Sequence, residues 1–321
     1  MRAVLFVPHP GGAVPEVRDV PVPVPGPGEV LVKVRAAGLN RGEIAVRRAL
    51  TSGAPQPTGI EFAGEVAELG PGASLRRPGE RVMGHWRAGQ AEYVAVDERL
   101  LVPVPERLSW AEAGAWLNVF CTAHDAMVTN ACLRAGESVL VNAASSGIGV
   151  AALQIARLVG ASPVIGSSRS SAKLRKLAEH GLQVGLDAAA SPEEVKQATG
   201  GRGVDVLIDN VGGPALQRNL ESMAVLGRMV SVGRLAANSG AMDLDLLAFK
   251  RARLIGVTFR TRSKEERIHC VRRCAADLLG PLAEGRLKAV VQRTFPMAEI
   301  RAAHDALERD EHVGKLVIEI A

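Results

Sequence analysis

A chain of 321 residues exceeds the usual size of one hydrophobic core, so two domains are expected. With 47% hydrophobic and 23% charged residues it has the composition of a soluble globular protein. Its net charge of +5, with no Lys/Arg run longer than two, argues against a nucleic-acid footprint and fits an anionic small molecule better. No apolar run reaches the roughly 18 residues of a membrane span, and MRAVLFVPHPGG enters a strand pattern without a secretory h-region, so a cytoplasmic protein is expected.

Residues 1–105 hold short alternating runs broken by Gly and Pro: RAVLFV, EVLVKVRAAG, IEFAGEVAELG, ERVMGH and AEYVAVDERLLVPVP. That spacing predicts an all-β unit of sandwich or barrel type, with VPVPVPGPG at 20–28 as a rigid connector. Ser109 and Glu112 form a capping box for a helix reading SWAEAGAWLNVFCTAHDAMVTNA. Strands and helices then alternate through ESVLVNAA, GIGVAALQIARLVG, SPVIGSS, SAKLRKLAEHG, VDVLIDNVG, PALQRNLESMAVLG and RMVSVGR, the pattern of a parallel sheet covered on both faces. After about residue 262 come two more helices, EERIHCVRRCAADLLGPLAEG and MAEIRAAHDALER, and a last alternating strand, GKLVIEI. The expected organisation is a doubly wound α/β domain (118–262) inserted into a β-rich one (1–117 and 263–321).

Cys121, Cys132, Cys270 and Cys274 include no CxxC pair. A reducing compartment makes disulfides unexpected. Cys270 and Cys274 are four residues apart with only His269 beside them, so structural thiols are expected rather than metal ligands.

Strand ESVLVNAA, turn SSGIG and helix VAALQIARLVG form the central signal. Such a turn lets backbone approach a pyrophosphate, and the helix start presents unpaired N–H groups and a positive dipole end. The loop departs from strict GxGxxG: Ala144 and Ser146 fill the first two glycine positions, leaving Gly147, Ile148 and Gly149 to open the helix. Further strands ending in DNVGG at 209–213 and in Gly233 support a dinucleotide site. An NAD site wants an acid near the end of the second strand, but SPVIGSSRSSAK offers only Ser167, Ser168, Arg169 and then Lys173. Hydroxyl and cation together suit a 2′-phosphate, which favours NADPH; the alternative is that Arg169 and Lys173 form a solvated helix start.

Taken together, the chain resembles the medium-chain dehydrogenase/reductase superfamily: a Rossmann-like doubly wound parallel sheet inserted into a β-rich GroES-like catalytic domain. Within it, the chain looks most like the zinc-free quinone oxidoreductase (zeta-crystallin-like) and enoyl reductase branch. The resemblance rests on AAGLNRGEI (36–44), GIEFAGEVAELGPG (59–72), ERVMG (80–84), NAASSGIGVAALQIAR (142–157), DNVGG, GRMVSVGR (227–234) and HVGKLVI (312–318). Zinc-dependent members carry Cys where Asn40 stands and Gly-His-Glu where this chain has Gly59-Ile60-Glu61. The resemblance therefore implies no metal, and Glu61 becomes a structural carboxylate, bonded to backbone or to a nearby Arg. His85 and His124 are isolated, as structural or pocket histidines are.

The resemblance also implies site residues. Asn40 would lie nearest the nicotinamide and the substrate carbonyl, with Arg41 beside it or facing solvent. Thr122 would contact the nicotinamide end. Asn210, Val211, Gly233 and Arg234 would line the strand ends, with Phe259 and Arg260 closing the pocket. Lys315 would approach the cofactor or stay a surface lysine. Relatives with a tyrosine acid keep it in the loop after residue 40, and loop 45–58 has none, so water could supply the proton.

The expected reaction is NADPH-dependent reduction of a quinone or conjugated carbonyl compound, with an enoyl thioester reductase as one alternative and a non-catalytic NADPH-binding protein as the other. Arg47, Arg48, Arg76 and Arg77 would form the basic rim that a large thioester needs, or be solvated surface. A homodimer through edge strands around 253–260 is expected from the family.

Overall fold

The alternating N-terminal runs pair because their apolar side chains share a face and their backbone groups need partners. In chain order they form β1 (Arg2–Val7), β2 (Val14–Asp19), β3 (Glu29–Gly38), helix α1 (Arg41–Ala49), β4 (Gln56–Pro57), β5 (Phe62–Leu69), β6 (Arg81–Gly84), β7 (Tyr93–Asp97), β8 (Leu101–Pro103) and helix α2 (Trp110–Gly114). The computed structural model describes residues 1–321, which divide into two units: Met1–Asn118 with Ser263–Ala321, and Val119–Arg262.

Unit 2 follows with α3 (Leu117–His124), β9 (Val139–Val141), α4 (Gly147–Val159), β10 (Val164–Ser168), α5 (Ser171–Lys176), β11 (Val184–Asp187), α6 (Pro192–Gln197), β12 (Val204–Asp209), α7 (Leu216–Ser222), β13 (Met223–Ser231), α8 (Leu244–Phe249) and β14 (Arg253–Gly256). The chain then returns to unit 1 with α9 (Lys264–Ala283), β15 (Val291–Pro296), α10 (Ile300–Arg309) and β16 (Lys315–Glu319).

In unit 1, β3 is the central strand. It pairs with β5 along one edge, and with β7 and then β16 along the other. Two occupied edges explain its nearly unbroken burial, with Val30, Val32 and Ala36 fully enclosed. The main sheet runs β15-β16-β3-β5-β6-β8, and a smaller sheet runs β2-β1-β4. This is the β-rich, GroES-like half.

Unit 2 is a six-stranded parallel sheet in the order β11-β10-β9-β12-β13-β14. Counted within the unit, that is 3-2-1-4-5-6, the doubly wound Rossmann order. Central β9 and the apolar residues of β12 are enclosed, as strands covered on both faces must be. The order reverses between β9 and β12, which leaves a crevice at their carboxyl ends.

Three local expectations are corrected. The single helix read from 109 onward is two helices followed by a π-helical turn, Asp125–Asn130. The segment PALQRNLESMAVLG is helical only to Ser222, because Met223 begins the buried start of β13. Strands β2, β4, β11 and β15 and helices α1, α6 and α8 are additional to the elements read from the sequence. No disulfide joins the four cysteines.

Candidate functional site

In unit 2 the carboxyl ends of parallel strands share one edge, which gathers Ser146–Gly149, Ser168–Arg169, Asn210–Val211, Gly233–Arg234 and Phe259–Arg260. The Ser146 hydroxyl caps α4 by accepting the Gly149 N–H (3.1 Å). A Cβ on Gly149 would fall 2.5 Å from the Ala143 carbonyl oxygen and 2.6 Å from that of Ala144, so only glycine lets the helix start this close to β9. The N–H groups of the first α4 turn, with the dipole behind them, suit a phosphate.

Beneath this turn, Asn142 accepts from the Ser167 hydroxyl (2.9 Å) and donates to Asn219 (2.8 Å), locking β9 to its neighbours. Asn210 donates to the Asn142 carbonyl (2.9 Å), while its own Oδ1 is buried with no hydrogen-bond partner. A buried carbonyl left unpaired costs about 1–3 kcal/mol, so an unmatched acceptor at this edge marks a place for a donor. Gly233 packs against the Asn210 backbone, where a Cβ would come within 2.6 Å of its carbonyl oxygen.

Strand β10 ends in buried Ser168, whose hydroxyl accepts the Ser170 N–H (3.3 Å) and lies 3.5 Å from that of Ser145. Arg169 is exposed and Lys173 half-buried in the first turn of α5. Thr122 is half-buried on α3, and Arg234 and Arg260 are exposed. Phe259 lies under the Arg262 guanidinium (4.9 Å), which pairs with Asp125 (2.7 Å). Asp187 is new to the site: it is in register with Ser168 on the unforeseen strand β11, and its carboxylate accepts the Ala189 N–H (2.8 Å).

Unit 1 encloses a polar cluster on the last residues of β3. The Lys315 ammonium, 5% exposed, donates to Glu61 Oε1 (2.6 Å), Asn40 Oδ1 (2.7 Å) and the Leu39 carbonyl (2.5 Å), using all three hydrogens. Glu61 also accepts from Asn40 Nδ2 (3.0 Å) and the Asn118 N–H (3.1 Å). Asn118 Nδ2 donates to Asn40 Oδ1 (2.8 Å), and Asn40 Nδ2 reaches the Gly38 carbonyl (3.2 Å). Gly38 makes room for this: a Cβ there would sit 2.4 Å from Glu61 Oε1. The cation beside Glu61 is thus Lys315, not an arginine, and Lys315 is no surface lysine.

Asn40 has both amide hydrogens and its carbonyl engaged, so it can donate to another molecule only by releasing a partner. Arg41 donates to the Leu307 carbonyl (2.5 Å) and faces Asp310 (3.7 Å), which engages it in capping α10. His85, 1% exposed, is pushed down to about 4 by burial and the nearby Arg267 charge, with a hydrogen bond to Asn118 acting the other way, so it is neutral at physiological pH.

Around the cluster, Glu43 braces the start of α1. Its Oε1 accepts the Asn40 N–H (3.1 Å), its Oε2 accepts from Gln90 Nε2 (2.9 Å), and the Thr58 hydroxyl meets Gln90 Oε1 (2.6 Å).

These donors do not fit a tetrahedral Zn²⁺, which takes mostly thiolate and imidazole: Asn40 and Ile60 offer neither, and an ammonium already faces Glu61. No group of three or more His, Cys, Asp or Glu side chains is assembled to hold a metal. Of the arginines read as a basic rim or as solvated surface, Arg47 and Arg48 share one partner, Glu308, and Arg76 pairs with Glu80. No helix is long and apolar enough to cross a membrane.

Comparison with known proteins agrees with this architecture. Residues 26–106 match the family described as alcohol dehydrogenase GroES-like domain, and 147–276 the family described as zinc-binding dehydrogenase. The chain is 30% identical to the quinone oxidoreductase of Homo sapiens over 99% of its own length and 97% of that protein's. It is 33% identical to a segment of a spectinabilin polyketide synthase protein of Streptomyces orinoci, over 97% of this chain but 14% of that one. Among solved structures, a mycobacterial protein complexed with NADPH superimposes with a TM-score of 0.90 at 26% identity, each chain wholly covered. The CurK enoyl reductase superimposes with a TM-score of 0.87 at 25% identity, covering 100% of this chain and 99% of that one.

Proposed function

From the premise that the chain belongs to the medium-chain dehydrogenase/reductase superfamily, in its quinone oxidoreductase and enoyl reductase branch, we propose that it is a zinc-independent, NADPH-dependent reductase of quinones or α,β-unsaturated carbonyl compounds. The observation that carries this reading is the end of β10, where Ser168, Arg169 and Lys173 stand with no acid on the strand itself. A hydroxyl and two cations favour the 2′-phosphate of NADPH over the ribose hydroxyls of NADH.

In this reading the α4 turn, Ser146 through Gly149, holds the pyrophosphate. Asn210, Val211, Gly233, Arg234, Phe259, Arg260 and Thr122 belong to the cofactor's nicotinamide half, with the unpaired Asn210 carbonyl as one acceptor. Bound there, NADPH supplies a hydride for the β-carbon of an enone or enoyl thioester, or for a quinone. The oxygen that gains charge needs a donor, and Asn40 is the proposed one. Lys315 on its carbonyl oxygen polarises the amide and sharpens its N–H groups, and the bond to Gly38, the longer of its two, is the one to give up. Water supplies the proton, since loop 45–58 has no tyrosine.

Similarity to a polyketide synthase segment favours a second reading, reduction of an enoyl thioester in lipid or polyketide synthesis. We also propose a homodimer through the free edge of β14, where Leu254 is exposed, and a cytoplasmic location.

Loss of NADPH absorbance with a quinone, a small enone and a crotonyl thioester in parallel separates these readings. Faster turnover of the quinone or enone supports the first, and preference for the thioester supports the second. NADPH binding without turnover of any acceptor would leave a non-catalytic binding protein.

A further inference from the structure

Two buried titratable side chains of unit 1 face each other, and one of them makes no hydrogen bond. Glu43 on α1 is 6% exposed and His304 on α10 is fully enclosed, with Oε2 and Nε2 3.9 Å apart. Neither ring nitrogen of His304 makes a hydrogen bond, although the ring packs edge-on against Phe6 (5.4 Å). An imidazole with two idle nitrogens in a closed core is a poor use of a polar residue unless one nitrogen serves a partner some of the time.

The charges around the pair say which forms coexist. Glu43 faces Lys315 and Glu61, together with the amide of Gln90 and the N–H of Asn40; burial, with the Glu61 charge adding to it, outweighs Gln90, Lys315 and Asn40 and pushes it up to about 7. His304 faces Arg47 and Glu308, and burial followed by the Arg47 charge pushes it down to about 4. Between those limits both are uncharged, one with an O–H to give and the other with a lone pair to receive it.

We propose that Glu43, while it holds its proton, donates to His304 and serves as a positioning residue for Asn40, so that losing the proton disables the Asn40–Lys315 donor. The inference rests on the reading of Asn40 as the substrate-side group. An ionised Glu43 would add a second carboxylate charge acting on Lys315, besides that of Glu61. Lys315 would then divide its attraction, and its bond to Asn40 Oδ1, the one that polarises the amide, would weaken.

Proton linkage gives a readout that needs no catalysis. Glu43 binds a proton in the folded chain that the unfolded chain has released, so its contribution to stability is lost as pH rises from about 4.5 to about 7. His304 has the opposite sign: the unfolded chain binds a proton that the folded one refuses, so stability is lost as pH falls from about 6.5 to about 4. The two slopes oppose each other across the range they share.

The test uses Glu43→Gln, which mimics the protonated form; turning over the Gln90 amide satisfies its new neighbour, and Thr58 can accept as well as donate. Denaturant unfolding of Glu43→Gln across that pH range should show stability rising with pH more steeply than in the wild type. With the most responsive acceptor, wild-type kcat should fall about tenfold between about pH 6 and about pH 8, as the protonated fraction of Glu43 does, while Glu43→Gln stays within about twofold and the KM for NADPH is unchanged in both. His304→Leu should lower kcat at about pH 6, and His304→Gln, which keeps an acceptor, should restore it. An active wild type whose Glu43→Gln variant keeps the alkaline fall overturns this inference alone. If none of the three acceptors is turned over with NADPH, the functional reading falls and this inference with it, while the unfolding slopes still report the pair.

Discussion

The Lys315 ammonium stands 2.6 Å from Glu61 Oε1 with both side chains buried, so the start of β16 and the loop before β5 are joined by an ion pair closed off from water. Removing one partner of such a pair leaves an uncompensated buried charge and costs about 3–5 kcal/mol. Lys315→Met and Glu61→Gln should therefore each destabilise the protein strongly in thermal unfolding. The double variant should lose clearly less than the sum of the two, because each single change already removes the interaction. Additive losses would show that the two groups do not depend on each other.

Gly38 is a steric counterpart of that pair, since a Cβ there would meet Glu61 Oε1 at 2.4 Å and the Gly114 carbonyl at 2.7 Å. Neither neighbour is free to move: one is ion-paired and the other is backbone. Gly38→Ala should cost about 1–3 kcal/mol by overpacking. Because the change lies in unit 1, it should lower kcat while leaving the Kd for NADPH unchanged. Equal loss of NADPH binding, read by fluorescence titration, would contradict the division of labour between the units.

Much of this organisation was legible in the sequence where burial imposes a period. β3 is long, β9 is wholly apolar, β12 is mostly so, and α4 follows a capped glycine turn. Edge elements were not: β11 reads Val-Gly-Leu-Asp with alternate residues exposed, and its apolar signal is too short to separate from a loop, so Asp187 was missed. The partners of Glu61 were hidden for another reason. Lys315, Asn40 and Asn118 come from distant parts of the chain, and only the pairing of β16 with β3 brings the first two together. No sequence period encodes that pairing.

Metal removal tests the zinc-independent reading. Dialysis against a chelator should leave the rate of NADPH oxidation and the unfolding midpoint unchanged, and metal analysis of the untreated protein should find no stoichiometric zinc. A chelator-sensitive rate restored by added Zn²⁺ would show that some ligand set other than Asn40, Ile60 and Glu61 holds a metal.

Cofactor choice turns on the loop after β10. If Arg169 and Lys173 bind a 2′-phosphate, Arg169→Ala and Lys173→Ala each remove a charge-assisted hydrogen bond of about 1.5–3 kcal/mol, raising the KM for NADPH by roughly tenfold to a hundredfold. The KM for NADH should move by less than about twofold in the same variants, since that cofactor has no phosphate there. Asp187 pulls the other way. Its exposed carboxylate is in register with Ser168, held by the Ala189 N–H, and would repel a 2′-phosphate but not a ribose hydroxyl. Asp187→Asn should therefore improve NADPH binding modestly and leave NADH unaffected, an effect that shrinks as salt screens the exposed charge. Equal losses for both cofactors in the two alanine variants would instead mean that Arg169 and Lys173 merely cap a solvated helix start.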